Sequence, residues 1–538
     1  MKKLLALLLA LLMVASMFVG CDTTNDETPS TNDSQQTPSG SNGSVDDPDD
    51  TTGGDSTTGG NDINDGDETV GGGETTDDAS DGDDDTGGDD TVGDDDTTAP
   101  PSEGLKFVLN DDGETCTLVS IGTCTDTEIV IPSTSPDGYK VTVIGSAALL
   151  RQPITSVTIP NSIILIEKKA FEGCTSLVNV KIPSSVIELG QDAFFGCSSL
   201  QSVSISASKI GSSAFRSCSS LTSVKFSSEV KEIGNQAFES CKGLTEIIIP
   251  NGVQVIGSRA FALCEELSEI ILPDSITKIR EDAFLRTKYT TDISTYWTDD
   301  VLYIGNHLIK AKTRVLDYTV RPGTKIIADK AFESVGLQSI SIPGSVTTIG
   351  ECAFLQCSNL TTVTLSEGVS QIGMSAFYGC TNLTTIHIPN SVTVIEGNAF
   401  YHCKSLTTIS IPDSVTELGG GAFTGCENLS NITLSKNIQT IEDMLFWNCT
   451  ALKTIVIPEG VTTIGDKAFA GCSDLESITM PSTLTSIGKG VFESATKLSS
   501  INFNGSKDEW GEIETPMSWE YSMKGKVIHC IDGDITIE

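Results

Sequence analysis

The side chains best able to do chemistry in this sequence are its thiols, because the chain has 16 cysteines. Thiolates can act as nucleophiles, bind soft metals or oxidise to disulfides. Most of these cysteines recur at one place in a repeated phrase, with no Cys-x-x-Cys or Cys/His pairing beside them. The eleven cysteines at that place are Cys174, Cys197, Cys218, Cys241, Cys264, Cys357, Cys380, Cys403, Cys426, Cys449 and Cys472. One small apolar side chain per repeat predicts a buried column of structural thiols and no metal site.

Two further cysteines, Cys116 and Cys124, lie in a short hairpin before the first repeat. The sequence leaves open whether they form a disulfide or stay reduced.

The four histidines of the chain, His307, His387, His402 and His529, sit in no nucleophile or metal motif. No hydroxyl or carboxylate stands at a distinctive spacing from any of them. We therefore expect a protein without enzymatic activity, and we find no motif for a cofactor.

The elements that carry these side chains repeat with the phrase I-G-x-x-A-F-x-x-C-x-x-L-x-x-V-x-I-P-x-S-V. Its Phe returns after 23 residues in most steps, with one break of 48 residues, and Leu149 fills the same place in an earlier copy. The marker residues are Phe171, Phe194, Phe215, Phe238, Phe261, Phe284, Phe332, Phe354, Phe377, Phe400, Phe423, Phe446, Phe469 and Phe492.

Each copy divides into segments with different patterns. The part L-x-x-V-x-I alternates like a half-buried strand and is often ended by Pro, which has no N–H to donate. The part V-x-x-I-G predicts a second short extended segment. For x-x-A-F-x-x-C we expect a single helical or 3₁₀ turn, with Phe filling the interior. Coils of this kind stack like strands, about 4.7–4.9 Å apart.

The repeated phrase resembles that of the BspA-like (treponemal-type) leucine-rich repeat surface lipoprotein family, and the resemblance covers residues 105–538. It implies a β-rich leucine-rich-repeat solenoid of curved parallel β-coils, with about 15 repeats of about 23 residues. Members of the family are often surface proteins of host-associated anaerobes. Some are adhesins for matrix or plasma proteins such as fibronectin and fibrinogen.

The beginning of the chain predicts export. Lys2 and Lys3 precede a short apolar run, so residues 1–20 are interpreted as a lipoprotein signal peptide. The residues before Cys21 resemble a bacterial lipobox, although Phe18 departs from the usual aliphatic residue. We expect Cys21 to carry the lipid anchor.

An acidic tether is predicted for residues 21–104, because they contain almost no large apolar side chain and cannot offset the entropy of ordering. Its likeness to a calcium-binding loop at residues 62–67 is loose, so a spacer is the favoured interpretation.

The repeats are predicted to be closed by caps, because the end coils of a solenoid must be covered. We assign residues 105–143 to an N-terminal cap, 144–284 and 326–502 to repeats, and 503–538 to a C-terminal cap. The insertion at 285–325 carries Tyr289, Tyr296, Trp297 and Tyr303. It is either a decorated coil that continues the stack or a protruding aromatic binding loop.

Two stripes of variable residues are candidate binding surfaces. The first follows the exposed strand positions, which are mostly small and polar; its exceptions and their neighbours are Lys225, Glu246, Ile248, Glu269, Ile271 and His387. Exposed apolar side chains on neighbouring strands are typical of contact patches, although strand propensity alone also explains them. The second stripe follows the repeat Phe and contains Tyr378, Tyr401 and Trp447, for which either an interface role or simple packing is possible.

The net charge is −40, and residues 22–104 hold 26 acidic residues without a Lys or Arg. Such a chain offers no basic surface, so we expect no nucleic-acid partner. We expect instead an adhesin-like protein at the outer surface of a bacterial cell envelope, held to the membrane through its lipid anchor only. Its partner would be a host matrix or plasma protein, a glycan or another cell-surface protein. The alternative is a structural envelope protein that associates with itself in cell–cell contacts.

Overall fold

The alternating L-x-x-V-x-I segments form strands, and these strands stack in parallel from coil to coil. The structure is a computed structural model that describes residues 99–516, 519 and 523–537. The predicted signal peptide, Cys21 and residues 21–98 of the predicted tether lie outside the described residues. We call the ladder formed by the strands of the L-x-x-V-x-I segments the first ladder. Its strands are β3 (Glu128–Val130), β5 (Ser156–Thr158), β7 (Asn179–Ile182), β9 (Ser202–Ile205), β11 (Ser223–Phe226), β13 (Glu246–Ile248), β15 (Glu269–Ile271), β20 (Asp317–Thr319), β22 (Ser339–Ile342), β24 (Thr362–Leu365), β27 (Thr408–Ser410), β29 (Asn431–Thr433), β31 (Thr454–Val456), β33 (Ser477–Met480), β35 (Ser500–Phe503) and β36 (Val527–Cys530).

A second ladder arises from the V-x-x-I-G segments, whose strands are mostly two residues long. They are β4 (Lys140–Ile144), β6 (Leu165–Ile166), β8 (Glu188–Leu189), β10 (Lys209–Ile210), β12 (Glu232–Ile233), β14 (Val255–Ile256), β16 (Lys278–Ile279), β19 (His307–Ala311), β21 (Ile326–Ile327), β23 (Thr348–Ile349), β25 (Gln371–Ile372), β26 (Val394–Ile395), β28 (Glu417–Leu418), β30 (Thr440–Ile441), β32 (Thr463–Ile464) and β34 (Ser486–Ile487). The two ladders confirm the predicted parallel β-solenoid. It has about 18 turns, more than the 15 repeats that the marker residues count, because coils without a marker Phe also join the stack.

Between the second ladder and Cys, the backbone makes consecutive turns and no helix, so the predicted helical or 3₁₀ turn is wrong. Two residues per coil have positive φ, for example Asp192 at 56° and Gly196 at 71°. A helix requires negative φ throughout. This backbone conformation instead points every second N–H at the next coil. The N–H groups of Asp192, Phe194 and Gly196 donate to carbonyl oxygens of the following coil, on Ser212, Ala214 and Arg216, at 2.9, 2.7 and 2.8 Å respectively. This third line of hydrogen bonds closes each coil against its neighbour.

The core consists of columns, because each coil contributes the same side chains. The marker Phe rings stack on one another, with centroids 4.8 Å apart for Phe171 and Phe194 and 5.9 Å apart for Phe469 and Phe492. Offset stacking of aromatic rings is favourable, and the Ala that precedes most of these Phe residues permits the close approach of the coils. All the column residues between Phe171 and Phe469 are buried.

The insertion lies in the stack and divides the core in two. It contains α1 (Lys288–Thr291), α2 (Ile293–Tyr296), β17 (Trp297–Thr298) and the antiparallel strand β18 (Val301–Ile304), which precedes β19. Strand β19 then pairs in parallel with β21. Leu302 and Ile304 pack into the hydrophobic core of the preceding coils, whereas Val301 and Leu308 pack into the core of the following coils.

At both ends of the described solenoid, a pair of strands is antiparallel. Strands β1 (Lys106–Leu109) and β2 (Thr115–Ser120) form a hairpin at the beginning, and β2 continues in parallel into β4. At the other end, β36 pairs antiparallel with β37 (Gly533–Thr536), and α3 (Lys507–Gly511) begins at a capping box on Ser506. The rings of Phe503 and Trp510 pack edge to face at 5.1 Å beside the last coils.

Candidate binding surfaces

The solvent-facing side of the first ladder, which we call the β-face, changes chemistry at β13 and β15. These two strands pair in register, so Glu246 lies beside Glu269 and Ile248 lies beside Ile271. The residue between them in each strand is buried, which turns the glutamates and isoleucines toward solvent. Ile248 is 57% exposed and Ile271 is 48% exposed. Most equivalent positions in the other strands of the first ladder are Ser or Thr, as in β9 and β24.

The two glutamates of this patch differ from other carboxylates of the same coils. Glu266 lies 2.9 Å from Lys288 in an ion pair. Among the described residues, neither Glu246 nor Glu269 takes part in an ion pair. Like charges directly beside one another on neighbouring strands repel. Lys225 is exposed in β11, at the position that Ile248 occupies in β13.

The insertion borders this patch with aromatic side chains. Tyr289 and Tyr296 stack with ring centroids 4.1 Å apart. The hydroxyl of Tyr296 donates to the carbonyl oxygen of Ser268 at 3.1 Å. Burial raises the pKa of Tyr289, with a smaller contribution from the charge of Glu269. The helical turns α1 and α2 therefore occupy the place of the next strand, and their tyrosines cover the end of β15.

The other aromatic residues of the insertion belong to its packing. Tyr303 is buried, its hydroxyl lies 3.2 Å from that of Tyr318, and the Arg321 guanidinium lies 4.2 Å from the centre of its ring. Trp297 is half-buried, with the Lys312 ammonium 4.9 Å from its ring centre. These rings are therefore held in place by contacts within the chain.

A shallow depression surrounds His387, farther along the β-face. Its volume is about 370 Å³, and its walls are hydroxyl and amide side chains such as Thr408, Ser410 and Asn431. Here the first ladder is incomplete, because Thr385 makes a single bridge to Thr408. A second depression of about 250 Å³ lies over β20, β22 and β24. Small side chains leave this space open, so a partner's side chains can enter it.

The second predicted stripe lies along the edge formed by the turns. Tyr378 and Tyr401 stack at 4.6 Å with an angle of 6° between their planes, and both are half-buried. The ring of His402 meets Tyr401 edge to face at 4.5 Å. Trp447 lies two coils beyond Tyr401, since the buried Thr424 occupies the position between them. Because stacking covers the facing sides of the two tyrosines, this stripe presents mainly ring edges and hydroxyls.

The thiol column is a hydrogen-bonded structure as well as a packed one. Cys403 donates its S–H to the carbonyl oxygen of Phe377 at 3.2 Å, and Cys426 donates to that of Phe400 at the same distance. Burial raises the pKa of Cys174 to about 11 and that of Cys357 to about 12. Such thiols remain protonated at neutral pH, so they are neither nucleophiles nor ready metal ligands.

Cys116 and Cys124 are free thiols in the structure. The buried thiol of Cys116 lies 3.6 Å from the carbonyl oxygen of Tyr139. Across the ranges that the structure describes, no group of three or more His, Cys, Asp and Glu side chains is placed to hold a metal ion.

Two buried carboxylates gave no signal in the sequence. Glu239 is 1% exposed and is held between the guanidinium groups of Arg216, at 2.9 Å, and Arg259. Asp329 lies beside the insertion, where its carboxylate accepts the backbone N–H of Glu351 at 2.8 Å. Burial raises the pKa of Asp329 to about 7. Asp329 occupies a position that is mostly polar in other coils, whereas Glu239 follows the marker Phe directly, where residues of every type occur, so only their depth distinguishes them.

Comparison with known proteins agrees with this geometry. A family model described as "BspA type Leucine rich repeat region (6 copies)" matches overlapping stretches that run from residue 142 to residue 513. The chain belongs to this family. Proteins of the BspA type are typically found at the cell surface and generally serve as non-enzymatic binding scaffolds. A search of the curated proteins found no match to the chain.

Solved structures similar to this BspA-type protein include a leucine-rich cell surface protein from Faecalibacterium prausnitzii, with 29% identity, a TM-score of 0.31, and coverage of 78% of this chain and 98% of that one. A leucine-rich repeat protein from Bacteroides ovatus has 25% identity, a TM-score of 0.31, and coverage of 77% and 98%. A third, from Treponema pallidum, has 26% identity, a TM-score of 0.29, and coverage of 38% and 89%. These TM-scores are low, so the family assignment rests on the repeat match. Within the described residues, no helix is long and apolar enough to cross a membrane.

Proposed function

We propose that this chain is an adhesin-like binding protein of the bacterial cell surface. In this proposal a lipid on Cys21 holds the protein to the envelope, and the acidic segment up to residue 104 lifts the solenoid away from the membrane. The partner is a host matrix or plasma protein, a glycan or another cell-surface protein.

The observation that carries the proposal is the contrast between the interior and the β-face within one chain. Inward positions repeat nearly the same residue in every coil, because any change of volume in a packed column is costly. Outward positions differ from coil to coil, with Lys225, Ile248, His387 and Val456 among Ser and Thr. A rigid stack with freely variable outward residues suits the recognition of an extended partner.

The family supports the same conclusion, because BspA-type proteins are generally binding scaffolds. Catalysis is not part of the proposal, since the thiols are held protonated by burial and His387 stands without a carboxylate partner among the described residues.

The test is binding of the purified full chain to an immobilised panel of matrix proteins, plasma proteins and glycans, with light scattering on the same sample. Saturable binding to one panel member, weakened when β-face residues are replaced, is the expected result. Discrete oligomers without any panel binding would refute the adhesin role and favour a self-associating envelope protein.

Anchoring is tested separately by expressing the chain and its Cys21→Ser variant in a bacterium fed a labelled fatty acid. We expect label in the wild type and none in the variant. Equal labelling of both proteins would contradict a lipid on Cys21.

A further inference from the structure

The Glu246–Glu269 and Ile248–Ile271 rows on β13 and β15 together form a surface that is both anionic and apolar, which we call the β13–β15 patch. We infer that this patch docks a cationic, extended polypeptide segment that alternates basic and apolar side chains. This inference rests on the proposed function, because it specifies the chemistry of the partner.

The apolar half of the patch is a pair of exposed isoleucines. Ile248 and Ile271 lie side by side in register, about half exposed, on a face where the equivalent residues of the other coils are mostly Ser or Thr. Their exposed area is small for a whole interface. It suits an anchor at the centre of a larger, more polar contact. The stacked rings of Tyr289 and Tyr296 lie beside β15, and tyrosines are common at such anchors.

The charged half of the patch predicts a positively charged partner. Glu246 and Glu269 are exposed neighbours, and no described cation pairs with either of them. Their mutual repulsion on adjacent strands is relieved when a cation lies between them. Other carboxylates of these coils already have partners, because Glu265 and Glu266 pair with Lys242 and Lys288. Nucleic acid and anionic lipid are repelled by this pair and by the net charge of −40.

The spacing gives the form of the partner. Along a strand, residues i and i+2 are about 6.6 Å apart, so each glutamate stands at that distance from the isoleucine of its own strand. An extended polypeptide presents alternate side chains on one face with the same spacing. Lys225 lies in the isoleucine row on β11, so it disfavours a cation there and favours the partner's basic residue on the side of the glutamates. A simple polyamine would satisfy the glutamates and leave the isoleucines uncovered.

The experiment uses the full chain and a fluorescent peptide made of three copies of Arg-Thr-Leu-Thr, titrated by anisotropy at about 20 and about 300 mM NaCl, which bracket strong and weak screening. Two comparison peptides carry Glu in place of Arg, or Ser in place of Leu. We expect the first peptide to bind most tightly and the Glu peptide not to bind.

The first variant is E246Q/E269Q. It should weaken binding of the Arg-Leu peptide about tenfold at low salt and remove most of the dependence on salt. The second is I248T/I271T, which places on these strands the residue that Thr364 and Thr433 provide at equivalent positions, so the fold is kept. It should weaken binding at least tenfold at both salt concentrations.

A matched control separates the patch from the overall charge. The variant E128Q/E417Q removes the same two charges from exposed residues at the starts of β3 and β28, and neither residue is in an ion pair among those described. We expect it to bind the peptide like the wild type. Equal weakening by the control and by E246Q/E269Q would overturn the inference, as would unchanged binding in both patch variants or the absence of binding at low salt.

The panel experiment distinguishes this inference from the proposed function. If a panel protein binds and the patch variants bind it as well as the wild type does, the β13–β15 patch is not the docking site, although the adhesin role stands. If the peptide binds through the patch while the chain forms discrete oligomers and binds no panel member, the chemistry of the patch holds and the adhesin role fails.

Discussion

Replacement of one thiol in the cysteine column measures what holds neighbouring coils together. Cys403 is suitable because it lies between Cys380 and Cys426, is buried, and donates to the carbonyl oxygen of Phe377 at 3.2 Å. That carbonyl also accepts the backbone N–H of Cys380 at 3.2 Å. Loss of the thiol therefore leaves Phe377 with one hydrogen bond, so the main cost comes from the lost volume.

The expected magnitudes follow from this geometry. Cys403→Ala removes the sulfur atom and leaves a small cavity, which costs about 1–1.5 kcal/mol in the free energy of unfolding. Cys403→Ser keeps a donor, but its shorter C–O bond places the oxygen farther from Phe377, and the lone pairs of a buried hydroxyl stay unsatisfied. We expect a cost of about 1–3 kcal/mol for serine, larger than for alanine.

Urea unfolding followed by circular dichroism measures both costs, with the slope of the transition checked for a common unfolding reaction. A control is Ser405→Ala, because this half-buried residue lies in the turn of the same coil. If Cys403→Ser were as stable as the wild type while Cys403→Ala were not, the hydrogen bond and not apolar packing would be the main contribution of Cys403, which would refute the predicted order of the two variants.

Three other substitutions test separate parts of the fold. Phe400→Ala should lower the free energy of unfolding by about 3–5 kcal/mol, because the Phe400 ring stacks on both neighbouring rings, and Phe400→Leu should lower it less. Urea midpoints measure both effects. A small effect of the alanine variant would contradict a packed column. Since the pKa of Asp329 is raised from 3.8 to about 7, the folded chain binds more protons than the unfolded chain in that window, and stability falls as pH rises through it. Asp329→Asn should therefore gain Tm relative to the wild type between pH 5 and pH 8, and a difference that stays constant would contradict this sign. Glu239→Ala should cost about 1–3 kcal/mol, moderated because the two arginines can turn to solvent, and thermal unfolding at low and high salt measures it.

The repeating part of the fold is predictable from the sequence because the same side chains must meet themselves in the next coil. The position of Phe and Cys in the phrase predicts inward columns, and Phe400 and Cys403 confirm them. The turns before Cys are harder, since positive φ occurs there at non-glycine residues such as Asp192 and His402. Their conformation is set by hydrogen bonds to the next coil, which no local propensity reveals.

The candidate site is predictable in part. Alternation along β13 and β15 places Ile248 and Ile271 outward, as the structure has them. No described cation pairs with Glu246 or Glu269, and the nearby Lys242 and Lys288 pair with other glutamates. Which carboxylate each lysine meets depends on three-dimensional packing. Equivalent positions in one repeat phrase therefore reveal which residues face solvent, but they do not reveal which charges are left without a partner.

The position of the β13–β15 patch follows from the insertion. In a regular coil, the strand after β15 would present another row of outward residues and extend the ladder. Here α1 and α2 replace that strand, and Tyr289 and Tyr296 cover the end of β15 without contributing strand positions to the β-face. The hairpin of β18 and β19 in the insertion packs into both hydrophobic cores, so the coils on either side stay packed. A single interruption of the repeat therefore keeps the stack intact and leaves the two unusual strands bordered by aromatic rings on one side and by Lys225 on the other, as a bounded site requires.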